Sequence, residues 1–593
     1  MNVYLAWYAS KAYECTCTVV HFEAMRRELA PLHNSRAALI AGLSFGMGRP
    51  TLLLAEDDYS PPIDYEDHLK VYSSARECQA VIEGWLAEQH LVPTAGVRSQ
   101  RLKLATELRN LRFGENVAEN ESDVLSEYFV ETASFDDVLS IRDALFVGRK
   151  GTGKTANMLQ AAARLQGDVR NLVVVIKPAS YEFASLLALL GEMSISMRQY
   201  AIESMWRFLL HSEIANSAID AIEARQSYIP LNEEERDLIG FVDENDFGVR
   251  DSFGIRFEKT VRALSSVGVD RASLEGEGRD LVNEALHTQA IARLRTLLGR
   301  VLKGRRRVAI LIDNLDKGWD RAADLDELSQ LLLGLLGAIG RVSNDFARED
   351  SSRDRITLTV ATFLRSDIFA HLQRVAREPD KLPLSRLEWH DPEILVRIIE
   401  ERFLAARPEG TDPDELWSRY FCSEVDGVPT KDYLLSRCLH RPRDIIYLCN
   451  SVATEAVNRR NNQIEVDDIR AGLVTYSRFA YEALLVENGI TISELDAVLL
   501  EFAGEPSLLD EDRVRTLIGI AGISEDRTDV VLQRLKAVSF LGIEVADDEF
   551  EFSELGPDSD KSRVLARKLA TKRNATPRVS VHHAFRPYLE ITD

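Results

Sequence analysis

Gly148, Gly153, Lys154 and Thr155 satisfy the spacing G-x-x-x-x-G-K-[ST]. They stand in Leu145-Phe-Val-Gly-Arg-Lys-Gly-Thr-Gly-Lys-Thr155, where the apolar run Ala144 to Val147 reads as a buried strand and Ala156 to Leu165 as a helix. Strand, glycine-rich turn and helix together form a phosphate cradle. The backbone N–H groups of Gly148, Arg149, Lys150, Gly151, Thr152 and Gly153 curl around the anion, and the helix adds the positive end of its dipole. Lys154 is placed to reach the β- and γ-phosphates, and the Thr155 hydroxyl to hold Mg²⁺. A second apolar strand, Val308-Ala-Ile-Leu-Ile-Asp313, ends in a carboxylate that belongs opposite Thr155 at the metal. A third, Ile356-Thr-Leu-Thr-Val-Ala-Thr362, leads to Arg365, where a γ-phosphate sensor would sit. These residues predict a nucleotide-binding protein.

The elements that position them need room, and 593 residues supply it. That length is too great for one core and implies about four domains. The net charge of −23 argues against a protein coated in nucleic acid, though not against a local basic face. No apolar run reaches the ~18–20 residues of a membrane span, and Met1-Asn-Val-Tyr-Leu carries no basic n-region, so a cytoplasmic protein with no membrane partner is expected. Six cysteines are scattered, and only Cys15 and Cys17 are close, which reads as reduced thiols rather than a zinc set. His582-His583 reads as a surface or core pair.

Taken in order, residues 1–92 read as a small α/β module, 93–120 as a connector, and 121–390 as the nucleotide-binding core. That core contains a helical insertion at 181–300. Residues 391–490 read as a helical lid, and 491–593 as a winged-helix-like domain, with helical patterns followed by a hairpin through Phe540–Val545 and Phe550–Phe552. Short β-α-β connections after the phosphate loop imply a parallel, doubly wound sheet. Tyr128 or Phe129, just upstream, is placed either against an adenine or in the core. Between Lys561 and Arg578 lie Lys561, Arg563, Arg567, Lys568, Lys572, Arg573 and Arg578, with no acid. This stretch reads either as a phosphate-contacting face for DNA or as a dock for the acidic insertion around Glu233–Glu235 and Asp243–Asp246.

Two resemblances follow from these residues. The helix Arg36–Met47, the turn Gly48-Arg-Pro50 and the strand Thr51–Ala55 resemble the second half of TIR-like and nucleoside deoxyribosyltransferase-like domains. Those domains carry a catalytic glutamate where this chain has Ile40, which implies a non-catalytic sensor or docking module. Glu56, Asp57 and Asp58 are the remaining acids there and read as a solvated turn.

The phosphate loop, Ile312-Asp-Asn-Leu-Asp-Lys-Gly-Trp319 and Phe363-Leu-Arg-Ser-Asp-Ile-Phe369 together resemble bacterial P-loop ATPases of the STAND, KAP and origin-recognition-like AAA+ group. The resemblance implies ATP with Mg²⁺, a homo-oligomer, an effector protein partner and a role in antiphage defence. A DNA-binding initiator or loader is the alternative. Arg441-Pro-Arg443 resembles the start of the lid helix, making Arg443 either a sensor of nucleotide state or an arginine capping a helix. AAA+ sequences place a glutamate directly after the strand-ending aspartate, where this chain has Asn314. Asp316 is the natural substitute, which implies slow, switch-like hydrolysis.

Overall fold

The computed structural model describes residues 17–24, 26–27, 29–46, 50–56, 59, 69–88, 108–140, 142–178, 195–225, 230–245, 248–266, 275–286, 288–315, 325–347, 356–376, 384–408, 410–488, 494–552 and 559–592. The chain divides into two compact units, Met1–Leu102 and Lys103–Asp593.

In the first unit, β1 (Thr18–Phe22), α1 (Ala30–Gly46), β2 (Thr51–Glu56), β3 (Leu69–Tyr72) and α2 (Ala75–Glu88) follow one another. The three strands are parallel in the order β1-β2-β3. Val20, Phe22, Leu53 and Ala55 form a core with Ala37 and Ala41 of α1, and Ile40 packs half-buried against it. Glu56 does not lie in a solvated turn. It ends β2, is only 9% exposed, and is ion-paired with Arg27 and, at 3.4 Å, with Arg26. A carboxylate this buried is retained only with such partners. Asp57 and Asp58 lie outside the described residues.

The second unit is an α/β P-loop NTPase core with a helical insertion, a helical lid and a C-terminal winged-helix-like domain. α3 (Ala133–Leu139), capped by the Thr132 hydroxyl, leads into β4 (Ala144–Gly148), α4 (Lys154–Gln166) and β5 (Asn171–Ile176). The insertion comprises α5 (Ile195–Glu223), α6 (Glu233–Glu244), α7 (Phe253–Ser266), α8 (Glu275–Ala285) and α9 (Thr288–Val301). The core then resumes with β6 (Arg307–Ile312), α10 (Leu325–Ala347), β7 (Leu358–Arg365), α11 (Ser366–Val375) and β8 (Leu384–Arg386).

All five strands are parallel, in the order β5-β6-β7-β4-β8. β4, β6 and β7 are buried along their whole length, because helices cover both faces of the sheet. One face packs on α3 and α4, with Phe146 and Phe363 stacked 5.2 Å apart. The other packs on the insertion and on α10, where Trp206 Nε1 donates to the Leu331 carbonyl at 3.0 Å.

The lid is α12 (Pro392–Ala405), a short hairpin of β9 (Glu424–Val425) and β10 (Val428–Pro429), α13 (Thr430–Arg437), α14 (Pro442–Arg459) and α15 (Val466–Asn488). The C-terminal domain is α16 (Leu495–Leu500), β11 (Leu508–Asp510), α17 (Glu511–Ile520), α18 (Glu525–Ala537), β12 (Leu541–Ala546), β13 (Glu549–Glu551), α19 (Ser559–Arg573) and β14 (Arg578–Val581). Its antiparallel sheet runs β11-β14-β12-β13, so the last strand of the chain fills the gap beside the hairpin.

Lid and C-terminal domain share one core. Leu108, Leu111 and Phe113, in the stretch read from sequence as a connector, are buried in it too. No described helix is long and apolar enough to cross a membrane.

Candidate functional site

β4 ends at Gly148 and α4 begins at Lys154, so the intervening loop turns directly beneath the C-terminal ends of the strands. Gly148 has no room for a side chain: a Cβ there would stand 2.4 Å from Thr152 Oγ1 and 3.0 Å from the Leu387 carbonyl. Gly153 holds φ 84°, the left-handed geometry that lets α4 start with its N–H groups facing the loop. Lys154 Nζ donates to the carbonyls of Gly148, at 2.9 Å, and Arg149, at 2.7 Å, so the ammonium sits over the loop it is expected to serve.

The order of the sheet places β7 between β4 and β6 and brings their ends level. Thr155 Oγ1 donates to Asp313 Oδ2 at 2.8 Å, and Asp313 is only 3% exposed. Two hard oxygen ligands at one point, one of them anionic, fit a Mg²⁺ that keeps most of its waters. Arg365 ends β7, lines the same cleft and forms a bidentate pair with Asp367 at 3.0 and 2.6 Å. Thr362 lies three residues inside the strand and is buried.

Asn314 lines the cleft with φ 66°. Asparagine adopts this left-handed conformation far more readily than glutamate does. The backbone thus supplies a physical reason for the departure from Asp-Glu. Asp316 lies outside the described residues.

The lid closes the cleft from the other side. Arg443, in the first turn of α14, lines it together with Pro442 and Ile446, and its N–H donates to the Gly151 carbonyl at 3.3 Å. Arg441 donates to the Lys150 carbonyl at 3.0 Å, and Trp389 Nε1 to the Thr152 carbonyl at 3.1 Å. Arg149 points away from the cleft. It donates to Ser539 Oγ at 3.0 Å and to the Ala537 carbonyl, at the end of α18.

Behind this junction His582 is buried. Burial first, then electrostatic interactions with nearby groups, Arg586, Arg441 and Arg149 among them, lower its pKa to about 3. It is thus a neutral core histidine. The described residues contain no group of three or more potential metal ligands among His, Cys, Asp and Glu.

Sequence reasoning missed Arg402. This buried arginine of α12 reaches the cleft and is held by Glu121 at 2.8 and 3.0 Å and by the Phe113 carbonyl at 2.7 Å. Nothing in its local sequence marks it, because its partners lie 281 and 289 residues away. Tyr128 lies under its guanidinium, 4.4 Å from ring centroid to Cζ, and Phe129 packs edge-on against Phe135. The apolar wall of the cleft is Leu125, Ala118 and Ile446 instead.

The basic stretch is partly consumed within its own domain. Arg573 and Arg578 clamp Glu544 and also reach Asp547 and Asp548 of the adjacent hairpin. Burial alone would raise Glu544, but the arginine hydrogen bonds outweigh it and hold its pKa at about 2. Among the insertion acids, Glu235 and Asp243 have partners of their own, Asp243 with Arg250 at 3.5 Å, and Asp246 lies outside the described residues. Glu233–Glu235 form the first turn of α6, where Asn232 and Glu235 make a capping box, and Arg225 bonds Glu235 at 2.6 Å.

A family model described as a FunZ-associated C-terminal helical domain matches residues 393–485, which are the lid. The "Putative transposon gamma-delta 80.3 kDa protein" of Escherichia coli strain K12 is 22% identical over 483 residues, 77% of this chain. The chain spans about 65% of the length of that relative. Among solved structures, the Aeropyrum pernix ORC2 protein with ADPNP and ADP is 11% identical, with coverage of 81% of this chain and 96% of that one, at a TM-score of 0.33. The Aeropyrum pernix ORC1 protein in complex with DNA is 14% identical, with coverage of 83% and 93%, at a TM-score of 0.31. Likeness at these scores carries no argument about function, so the fold assignment rests on sheet order and loop geometry.

Proposed function

We propose that this chain is an ATP-binding, Mg²⁺-dependent P-loop ATPase whose nucleotide state sets how the lid and the C-terminal domain sit on the phosphate loop. One observation carries the reading: the loop is bonded at once to both of those bodies, through Arg441 and Arg443 on one side and Arg149 on the other. A loop that must rearrange around phosphates cannot do so without loading these bonds.

Thr155 and Asp313 would hold Mg²⁺, which neutralises charge on the β- and γ-phosphates when bound. Gly148 to Gly153 cradle the phosphates, Lys154 supplies the cation, and Arg365, Arg402 and Arg443 line the space beyond. Asn314 can orient water but cannot accept its proton near neutral pH, so the base is read as Asp316, three residues past Asp313, and turnover as slow. Single-turnover hydrolysis of Mg·ATP by the full chain tests the ATPase; no cleavage over hours overturns it.

The setting that fits is a mobile-element or antiphage system, with effector recruitment or self-assembly as output. The relative named for a transposon and the resemblance to conflict-system ATPases support it. Phage plating on cells carrying the parent or Lys154→Ala tests that setting, and equal plating on both removes it. The N-terminal unit is read as a non-catalytic module, and release of nicotinamide from NAD by the full chain would overturn that.

A second reading, DNA binding, is favoured by α19, where Lys561, Arg567, Lys568 and Lys572 remain exposed. The exposed start of α18 instead presents Glu525, Asp526 and Asp529. Phosphate contacts by α19 predict affinity that falls steeply with salt and is weakened by Lys568→Ala. Affinity that neither salt nor that substitution changes would exclude this face.

A further inference from the structure

A groove separate from the nucleotide cleft runs between residues 109–116 and the lid helix α14. Its volume is about 600 Å³, against about 220 Å³ for the cleft at the phosphate loop. Tyr447, Asn450, Thr454 and Val457 line it, spaced as one face of a helix, and Leu111 lies opposite them. Stacking on Phe479, with centroids 3.9 Å apart and planes at 10°, holds the Tyr447 ring in place. Arg109 and Arg112 also line the groove and are exposed. Neither has an ion-pair or hydrogen-bond partner among the described residues. An apolar wall with two unused guanidiniums beside it suits a partner that brings carboxylates and an aliphatic anchor.

Groove and cleft share a wall. Glu115 and Asn116 line both. The stretch before them is bolted to the lid: Asn450 Oδ1 accepts from the Phe113 N–H at 3.1 Å, and Asn450 Nδ2 donates to the Gly114 carbonyl at 2.8 Å. Gly114 holds φ 75°, and a Cβ there would collide with Glu121 and Arg402, the pair that reaches the cleft. Whatever fills the groove therefore presses on a wall of the nucleotide cleft.

A surface of matching character stands elsewhere on the same unit. At the start of α18, Glu525 and Asp526 are exposed and have no ion-pair or hydrogen-bond partner among the described residues. Val530, one turn past Asp526, is 68% exposed. Residues four apart share a helix face, so an unpaired acid and an open aliphatic side chain are presented together. Both surfaces are open in one copy of the chain.

We propose that the groove receives the start of α18 from a second copy of this chain. Arg109 and Arg112 pair with Glu525 and Asp526, and Val530 lies against Leu111, Tyr447 and Val457. A nucleic-acid backbone suits the groove less well, because its wall is apolar, it offers two cations, and the Glu115 carboxylate borders the same space. Two different patches meet, so the contact is head-to-tail and builds a ring or a filament. Assembly then shifts nucleotide affinity through the shared wall, a consequence that rests on the proposed ATPase; the docking itself does not.

Sedimentation velocity of the full chain, with and without Mg·ATP, tests the docking at concentrations up to about 100 μM. Association that grows with concentration is expected. Arg109→Glu with Arg112→Glu should weaken it about tenfold or more, and Glu525→Lys with Asp526→Lys likewise, because each set brings like charges face to face. All four positions are exposed, so folding is spared. Mixing the two reversed chains in equal amounts should restore association, because every groove then finds an α18 of opposite charge; structural damage would not be rescued in this way. Three results each overturn the proposal: a monomer at every concentration, association unchanged by either reversal, or a loss that mixing does not restore. Calorimetric titration of the same chains with ATP scores the phosphate loop separately, so failure of the groove and failure of the ATPase reading are distinguishable.

Discussion

Thr155 and Asp313 are 158 residues apart in the chain and bonded at 2.8 Å, and the proposed chemistry turns on that contact. Removing the loop cation with Lys154→Ala should weaken ATP binding on the order of a hundredfold or more, because several charge-assisted contacts to the phosphates disappear. A calorimetric titration checks it, and parent-like affinity would show that the loop does not bind phosphate. The two acids should fail differently. Asp313→Ala is expected to weaken Mg·ATP binding and hydrolysis together, whereas Asp316→Asn is expected to keep binding and lose turnover, trapping the ATP form. Full turnover by Asp316→Asn would mean that another group positions the water. Asn314→Glu restores the usual acid but forces it to φ 66°, so its melting temperature should fall by the equivalent of about 1 kcal/mol. An unchanged melting temperature would show that the backbone relaxes.

Elements differ in how far the sequence revealed them. The phosphate loop and the strands around it were readable because their signals are local: glycine spacing, unbroken apolar runs and a terminal aspartate. The helix-plus-hairpin pattern of the C-terminal domain was readable for the same reason. The insertion of β7 between β4 and β6, and of β14 beside β12, depends on pairing between distant segments, which no window of sequence records. Arg402, the burial of Leu108, Leu111 and Phe113 and the role of Arg149 were hidden likewise. Lid packing gives an element-scale prediction that no motif suggested. A Cβ on Gly472 of α15 would stand 2.8 Å from the Val452 backbone of α14, so the two helices meet through that missing side chain. Gly472→Ala should destabilise the lid by about 1–3 kcal/mol, read as a lower melting temperature. Arg443→Ala, at the other end of α14, should leave ATP binding nearly intact but uncouple hydrolysis from lid position. Unchanged hydrolysis and unchanged nucleotide-dependent assembly would reduce Arg443 to a packing residue.

At the scale of the whole second unit, buried histidines set an acid limit. His211 and His582 fall from 6.5 to about 4 and about 3 on burial. The unfolded chain therefore takes up protons first as pH drops below 6.5, and folded stability declines from there toward those lower values. The loss should be on the order of 2 kcal/mol per histidine by about pH 5, seen as a falling melting temperature; a flat profile would contradict the burial. Nucleotide binding at one loop is expected to reorganise two attached bodies. Arg149 and Arg443 are its two handles, the first on the C-terminal domain and the second on the lid. Hydrogen–deuterium exchange on the full chain, with and without saturating Mg·ATP, reads all three places in one experiment. The switch predicts that ATP changes exchange at residues 148–156, 441–449 and 535–540 together, and that Lys154→Ala abolishes all three changes. Changes confined to 148–156, with the lid and the end of α18 unaffected, would contradict it.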